Sequence, residues 1–237
     1  MNMQIYEENH PSIAINCNNL GLCYISQGNY AKALKFLAFS LNIYRKILDE
    51  KDLKLVRIYN NMAECYRLMN NNREASLFSL SSLTILIQNF EITHPDFANT
   101  YNTSGLINIS LERYEKAEEY LTKSLYINQY NWGNNHITTA QSYFNLGTLF
   151  RITKNKKALE LQHKALVIRE KKLGKIHLST AESYYEISII HFEKGDYPKA
   201  YIYLENVVEI YKKIFSTDNS QLITLENELK FLKEKIK

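Results

Sequence analysis

Two short blocks return along this chain every 42 residues, and a chain with that period stacks like units side by side instead of closing around one core. The first block, Asn18-Asn19-Leu20-Gly21-Leu22-Cys23-Tyr24, comes back as Asn60-Asn61-Met62-Ala63-Glu64-Cys65-Tyr66 and as Phe144-Asn145-Leu146-Gly147-Thr148-Leu149-Phe150, with weaker copies at 102–108 and 185–191. The second block is anchored by an alanine in every copy: Ala33, Ala75, Ala117, Ala158 and Ala200. A bulky residue follows three positions later (Phe36, Phe78, Tyr120, Leu161, Tyr203). The spacing slips once, between the third and fourth anchors, where one residue is lost in the turn Thr153-Lys154-Asn155-Lys156.

Within each block apolar residues step by three and four, as in Leu34, Leu37, Leu41 and Leu48, which is the spacing of one helix face. Turn residues separate the blocks, Gln27-Gly28-Asn29 in the first unit and Lys194-Gly195-Asp196 in the last. Each unit therefore reads as a helix-turn-helix hairpin. First helices are expected over 11–26, 53–68, 95–110, 137–152 and 178–193, and their partners over 30–47, 72–89, 114–129, 155–172 and 197–214. Gly21, Ala63, Gly105, Gly147 and Ser188 share one phase, so they and the anchor alanines mark where two helix backbones approach. Pro11, Pro95 and Pro198 fall in first turns, where the missing N–H costs nothing. His10, His94, His136 and His177 stand at the head of their units, a position suited to starting a helix.

The 42-residue period, the Asn-Leu-Gly core and the leading histidine resemble the tetratricopeptide repeat, and within it the kinesin light chain type. The stretch Ala165-Leu166-Val167-Ile168-Arg169-Glu170-Lys171-Lys172-Leu173-Gly174-Lys175-Ile176-His177 carries the likeness furthest. The expected fold is all-α, an α-solenoid of five such hairpins plus a C-terminal capping helix. Its expected divisions are a short polar segment 1–9, repeats at 10–51, 52–93, 94–135, 136–176 and 177–218, and a cap over 219–237. Leu222, Leu225, Leu229, Leu232 and Ile236 form the stripe that would cover the last hairpin, with a two-heptad coiled coil as the other reading of the same stripe.

Composition excludes several classes. No apolar run approaches the ~20 residues that span a bilayer, which points to a cytoplasmic protein. Cys17, Cys23 and Cys65 share phases with aromatic and aliphatic residues of other units, so all three are expected as core fillers. The net charge of +4 is spread among glutamates on helix faces, too dilute for a nucleic-acid footprint. There is no glycine-rich phosphate loop, no Cys-x-x-Cys and no His-Glu-x-x-His, so neither catalytic residues, metal site nor cofactor is expected.

A non-enzymatic adaptor that holds a peptide segment of a partner protein is what remains. In a stack of hairpins the first helices line the concave side. The resemblance implies that the residue before the Leu-Gly pair faces this groove and hydrogen-bonds an extended peptide, which selects Asn19, Asn61 and Asn145. Neighbouring turns of the same stripe add Arg57, Asn99, Gln141 and Glu64. An amide suits the task because it offers donor and acceptor together. The alternatives are asparagines that bridge adjacent repeats, a sensory array of a larger signalling protein, and a scaffold that assembles through its convex face.

Overall fold

The computed structural model describes residues 10–236, so the segment 1–9 lies outside the described residues. All regular structure within them is helical. Helix α1 (Pro11–Ser26) pairs with α2 (Tyr30–Ile47), α3 (Leu53–Leu68) with α4 (Asn72–Asn89), α5 (Pro95–Ser110) with α6 (Tyr114–Trp132), α7 (Ile137–Ile152) with α8 (Ala158–Leu173), and α9 (Leu178–Glu193) with α10 (Tyr197–Ile214). The last helix, α11 (Ser220–Ile236), packs on α10 as α3 packs on α2, in the place a further first helix would take. The fold is thus an all-α solenoid of five hairpins and a capping helix. Two compact units make it up, the first ending at Ile127 within α6 and the second beginning at Asn128.

Helix starts are set locally. His10, His94, His136 and His177 are N-caps whose Nδ1 accepts the backbone N–H two residues on, at 3.1, 3.3, 3.3 and 3.1 Å. Asp52 Oδ1 does the same at 2.8 Å where the second unit lacks the histidine. One orphan donor of each first turn is satisfied in this way, and the ring nitrogen must be unprotonated to do it.

The turns inside the hairpins follow one design, with a left-handed residue five positions before the anchor alanine: Gly28 (φ 72°), Asn70 (58°), Glu112 (56°) and Gly195 (75°). In the fourth unit the left-handed residue, Lys154 (φ 55°), stands only four before Ala158. Elsewhere the anchor N–H reaches the carbonyl four residues back, as from Ala33 to Asn29 at 3.0 Å, whereas Ala158 bonds Asn155 three back at 3.1 Å. The lost residue is absorbed by this tighter turn. Helix α8 therefore begins at Ala158, three residues later than the sequence pattern predicts. At the other end α6 runs to Trp132, beyond the expected 129, and stops at Gly133 (φ 78°), whose carbonyl accepts from Thr139 Oγ1 at 2.8 Å.

Hairpins close through the small residues. A Cβ on Gly21 would lie 2.7 Å from Leu37 Cγ, and one on Gly105 would lie 2.6 Å from Leu121 Cγ. In the fourth hairpin this place is taken by Gln162, fully buried, whose Nε2 donates to the Phe144 carbonyl (3.0 Å) and Thr148 Oγ1 (3.1 Å) while its Oε1 has no partner. Gln162→Leu would restore the leucine carried by the first, third and fifth hairpins and remove an unsatisfied oxygen. It is expected to raise stability by about 1 kcal/mol, read as a higher denaturant midpoint at constant slope.

One cysteine departs from expectation. Cys17 and Cys65 are buried, but Cys23 is exposed. Cys65 faces the preceding hairpin, with its Sγ 3.5 Å from the Tyr30 carbonyl, and no hairpin among the described residues packs on the matching side of α1.

Candidate functional site

The first-helix stripes can be followed within each unit. In the first unit Asn19, Arg57 and Asn99 are exposed on α1, α3 and α5, while Asn61 and Glu64 are half-buried. Asn61 Nδ2 donates to Asn18 Oδ1 on the neighbouring first helix at 2.8 Å, so one donor is used between repeats and the side-chain oxygen remains for other partners. Next to it, Asn60 Nδ2 donates to Thr100 Oγ1 at 2.9 Å, bridging α3 to α5. Glu64 is held by Arg67 through two bonds of 2.8 and 2.6 Å, which neutralises both charges locally. Arg57 has no carboxylate at ion-pair distance among the described residues, so its charge faces solvent unopposed.

In the second unit the stripe is tied together. Asn145 is buried at 5 % exposure, and its Oδ1 accepts from Gln141 Nε2 at 3.0 Å. Gln141 is exposed, and its Oε1 accepts from Arg169 Nη2 at 2.8 Å. Arg169 comes from α8, behind the stripe. It is 1 % exposed, its guanidinium stacks 4.3 Å from the Phe144 ring centre, and its Nη1 donates to the Ser179 carbonyl (2.6 Å) and Ser183 Oγ (2.8 Å). Burial pushes its pKa down to about 10 despite Glu182 at 3.5 Å, so it stays charged at neutral pH. Between the same first helices, Arg151 of α7 holds Glu186 and Glu193 of α9 at 2.9 and 3.0 Å.

Arg169 was not visible as a site residue in the sequence. Its phase carries Tyr44, Leu86, Asn128 and Tyr211 in the other units, and an arginine there was the available signal. Asn128 plays a related part, donating from α6 to Ser142 Oγ at 2.9 Å. These second-helix side chains fasten the first helix that follows.

No group of three or more histidine, cysteine or acidic side chains able to hold a metal exists among the described residues. His163 and His191 instead pack on Tyr203, with ring centres 6.0 and 5.6 Å away, and burial lowers the pKa of both imidazoles. No helix among the described residues is long and apolar enough to cross a membrane.

Helix hairpins of this period, closed by small residues and presenting polar stripes, define a repeat protein. The tetratricopeptide repeat family model matches residues 4–88, 96–157 and 151–213. The chain belongs to the tetratricopeptide repeat family. Its fold is similar to the TPR-like repeats of a Podosopora anserina protein described as a kinesin light chain, with TM-score 0.66, 20% identity, 86% of this chain and 97% of that one covered. It is also similar to BtubC (BKLC) from P. vanneervenii, with TM-score 0.70, 20% identity, and 88% and 84% covered. A Rap protein complexed with Competence and Sporulation Factor matches at TM-score 0.72 and 16% identity over 83% of this chain and 53% of that chain. A clustered mitochondria protein homolog of Brugia malayi is 31% identical over 90 residues, which is 38% of this chain and 6% of that protein's length.

Proposed function

We propose that this protein is a non-enzymatic cytoplasmic adaptor whose first-helix faces hold an extended segment of a partner protein. The observation that carries the reading is the stripe of the first unit. Asn19, Arg57 and Asn99 stand exposed on three successive first helices, with Asn61 between them already oriented by Asn18. Amides at repeated intervals match the repeated donors and acceptors of an extended backbone, and the unopposed Arg57 favours an acidic side chain on the ligand. In the second unit Gln141 and Asn145 belong to the network anchored by Arg169, so a ligand there meets a rigid surface, with Gln141 as its accessible member. The Rap structure is of a protein bound to a factor on the same fold, which supports binding as the use of such repeats.

The test is affinity for a partner recovered by the immobilised chain, mapped to a peptide by an array of its sequence. Arg57→Glu combined with Asn61→Ala is expected to weaken that peptide by at least ~2 kcal/mol. Its melting temperature should fall only slightly, because Arg57 is exposed and Asn61→Ala removes one bond between repeats, worth about 1 kcal/mol. Lys116→Glu, on the second helix of the third hairpin, should bind as the parent does. Normal binding by the first variant and loss by the second would place the surface on the opposite face and favour the convex scaffold.

A further inference from the structure

The second unit leaves a cleft between α9 and α11. Although α11 takes the place of a further first helix, two cavities of about 350 and 300 Å³ remain beside it. The first is lined by Glu182, Tyr185 and Tyr211 with Thr224, Leu225 and Glu228. The second is lined by Tyr185, Ile189, Phe192, Glu228, Phe231 and Leu232. Tyr185 and Glu228 border both, and the Tyr185 hydroxyl donates to Glu228 Oε1 at 3.3 Å, forming a crossbar from α9 to α11.

The charged residues that line this cleft are acidic. No lysine or arginine among the described residues lines either cavity, and two carboxylates do. Glu182 is partly offset by the buried Arg169, but its side chain is 54% exposed. Glu228 is half-buried and has no cation at ion-pair distance among the described residues. Next to it stand the rings of Phe192 and Phe231, centroids 6.4 Å apart and both well exposed. Such faces attract cations. The chain's own Lys235 shows this, with its ammonium 5.4 Å from the Phe231 ring centre, a place that an incoming basic side chain would share or take over.

We infer that this cleft is a binding site for a basic side chain, a lysine or arginine carried on a peptide, with its aliphatic stem on Ile189 and Leu232, its flank on Phe192 and Phe231, and its cation on Glu228. A half-buried carboxylate gains more from a matching cation than a fully solvated one, since less water screens the pair. Glu182 then accepts a second basic residue further along α9. The inference rests on the reading of the first-helix faces as peptide-binding surfaces, and assigns the second unit a ligand chemistry opposite to that favoured by Arg57 in the first.

The experiment titrates the full chain with two synthetic probes, acetyl-Leu-Arg-Leu-Arg-Leu amide and its glutamate counterpart, followed by calorimetry and by aromatic side-chain NMR. The basic probe is expected to bind saturably, shift the resonances of Tyr185, Phe192 and Phe231, and weaken as salt is raised. Glu228→Gln keeps the size of the side chain and an acceptor for Tyr185, and is expected to weaken the basic probe by about tenfold with melting unchanged. Equal binding of the acidic probe, absence of saturable binding, or indifference to Glu228→Gln would overturn the site. Arg57→Glu with Asn61→Ala is the separating control, because it lies in the first unit. Basic-probe binding that survives this variant but not Glu228→Gln supports the cleft whatever becomes of the captured partner. Binding lost in the first-unit variant alone overturns the cleft and leaves the first-unit stripe standing.

Discussion

Replacing Gly105 with leucine is expected to cost about 3 kcal/mol or more, a large fraction of the net stability of a typical folded domain. The reason is geometric. Gly105 on α5 faces Leu121 on α6, and even a bare Cβ would meet Leu121 Cγ at 2.6 Å and Cδ2 at 2.7 Å, with the Ala117 carbonyl oxygen at 3.4 Å. Leu121 and Ala117 are both fully buried, so neither side can yield without opening the hairpin. Gly105→Ala should already cost about 1–3 kcal/mol. Gly133→Ala is the contrasting case: nothing lies within 4 Å of its added Cβ, and its cost comes only from the left-handed backbone at φ 78°, roughly 1 kcal/mol. Urea denaturation of the three variants checks the order, and a Gly105→Leu protein as stable as the parent would mean that the hairpin does not close at this point.

A chain ending at Asp218, without α11, is expected to lose about 5 kcal/mol and to associate in solution. Leu222, Leu225 and Leu232 are buried against the last hairpin, and each is worth roughly 1.5–3 kcal/mol when fully covered, an upper estimate because unfolded chains bury some surface too. The core they join includes Ala181, Leu204, Val207 and Ile210, which would be bared along one side of α9 and α10. Light scattering and thermal melting together give the readout. A truncated chain that stays monomeric and melts with the parent would show α11 to be a separate element, as the coiled-coil reading of its leucines requires.

The period and the limits of most helices were legible because they are set by neighbours in sequence. Turn residues, prolines at first turns and an N-capping side chain act within a few positions, and they bound α1 to α5, α7, α9 and α10 where the pattern places them. The start of α8 was not legible in the same way. A one-residue loss can be taken up by a shortened loop or a tightened turn, and only the bond from Ala158 to Asn155 decides for the turn.

Burial was legible where every unit repeats the same surroundings and failed where the surroundings change. Cys23 and Cys65 have the same phase, yet one is exposed and the other wholly buried, because a residue at this phase is covered by the preceding hairpin, as Cys65 is at Tyr30. The candidate stripe divides on the same ground. Asn19, Asn61 and Asn145 were selected by what the family resemblance implies for their position, and Arg57, Glu64, Asn99 and Gln141 by their place on the same stripe, which says which helix face a residue occupies. What each can still offer a ligand depends on side chains that arrive from other helices: Arg67 on Glu64, Asn18 on Asn61, and Arg169 through Gln141 toward Asn145. The sequence by itself therefore determined the repeat and the limits of most of its helices. The buried Gln162 and Arg169, and the acidic cleft between α9 and α11, were decided only by tertiary structure, because each is made by contacts between residues from different helices, and no local pattern records such contacts.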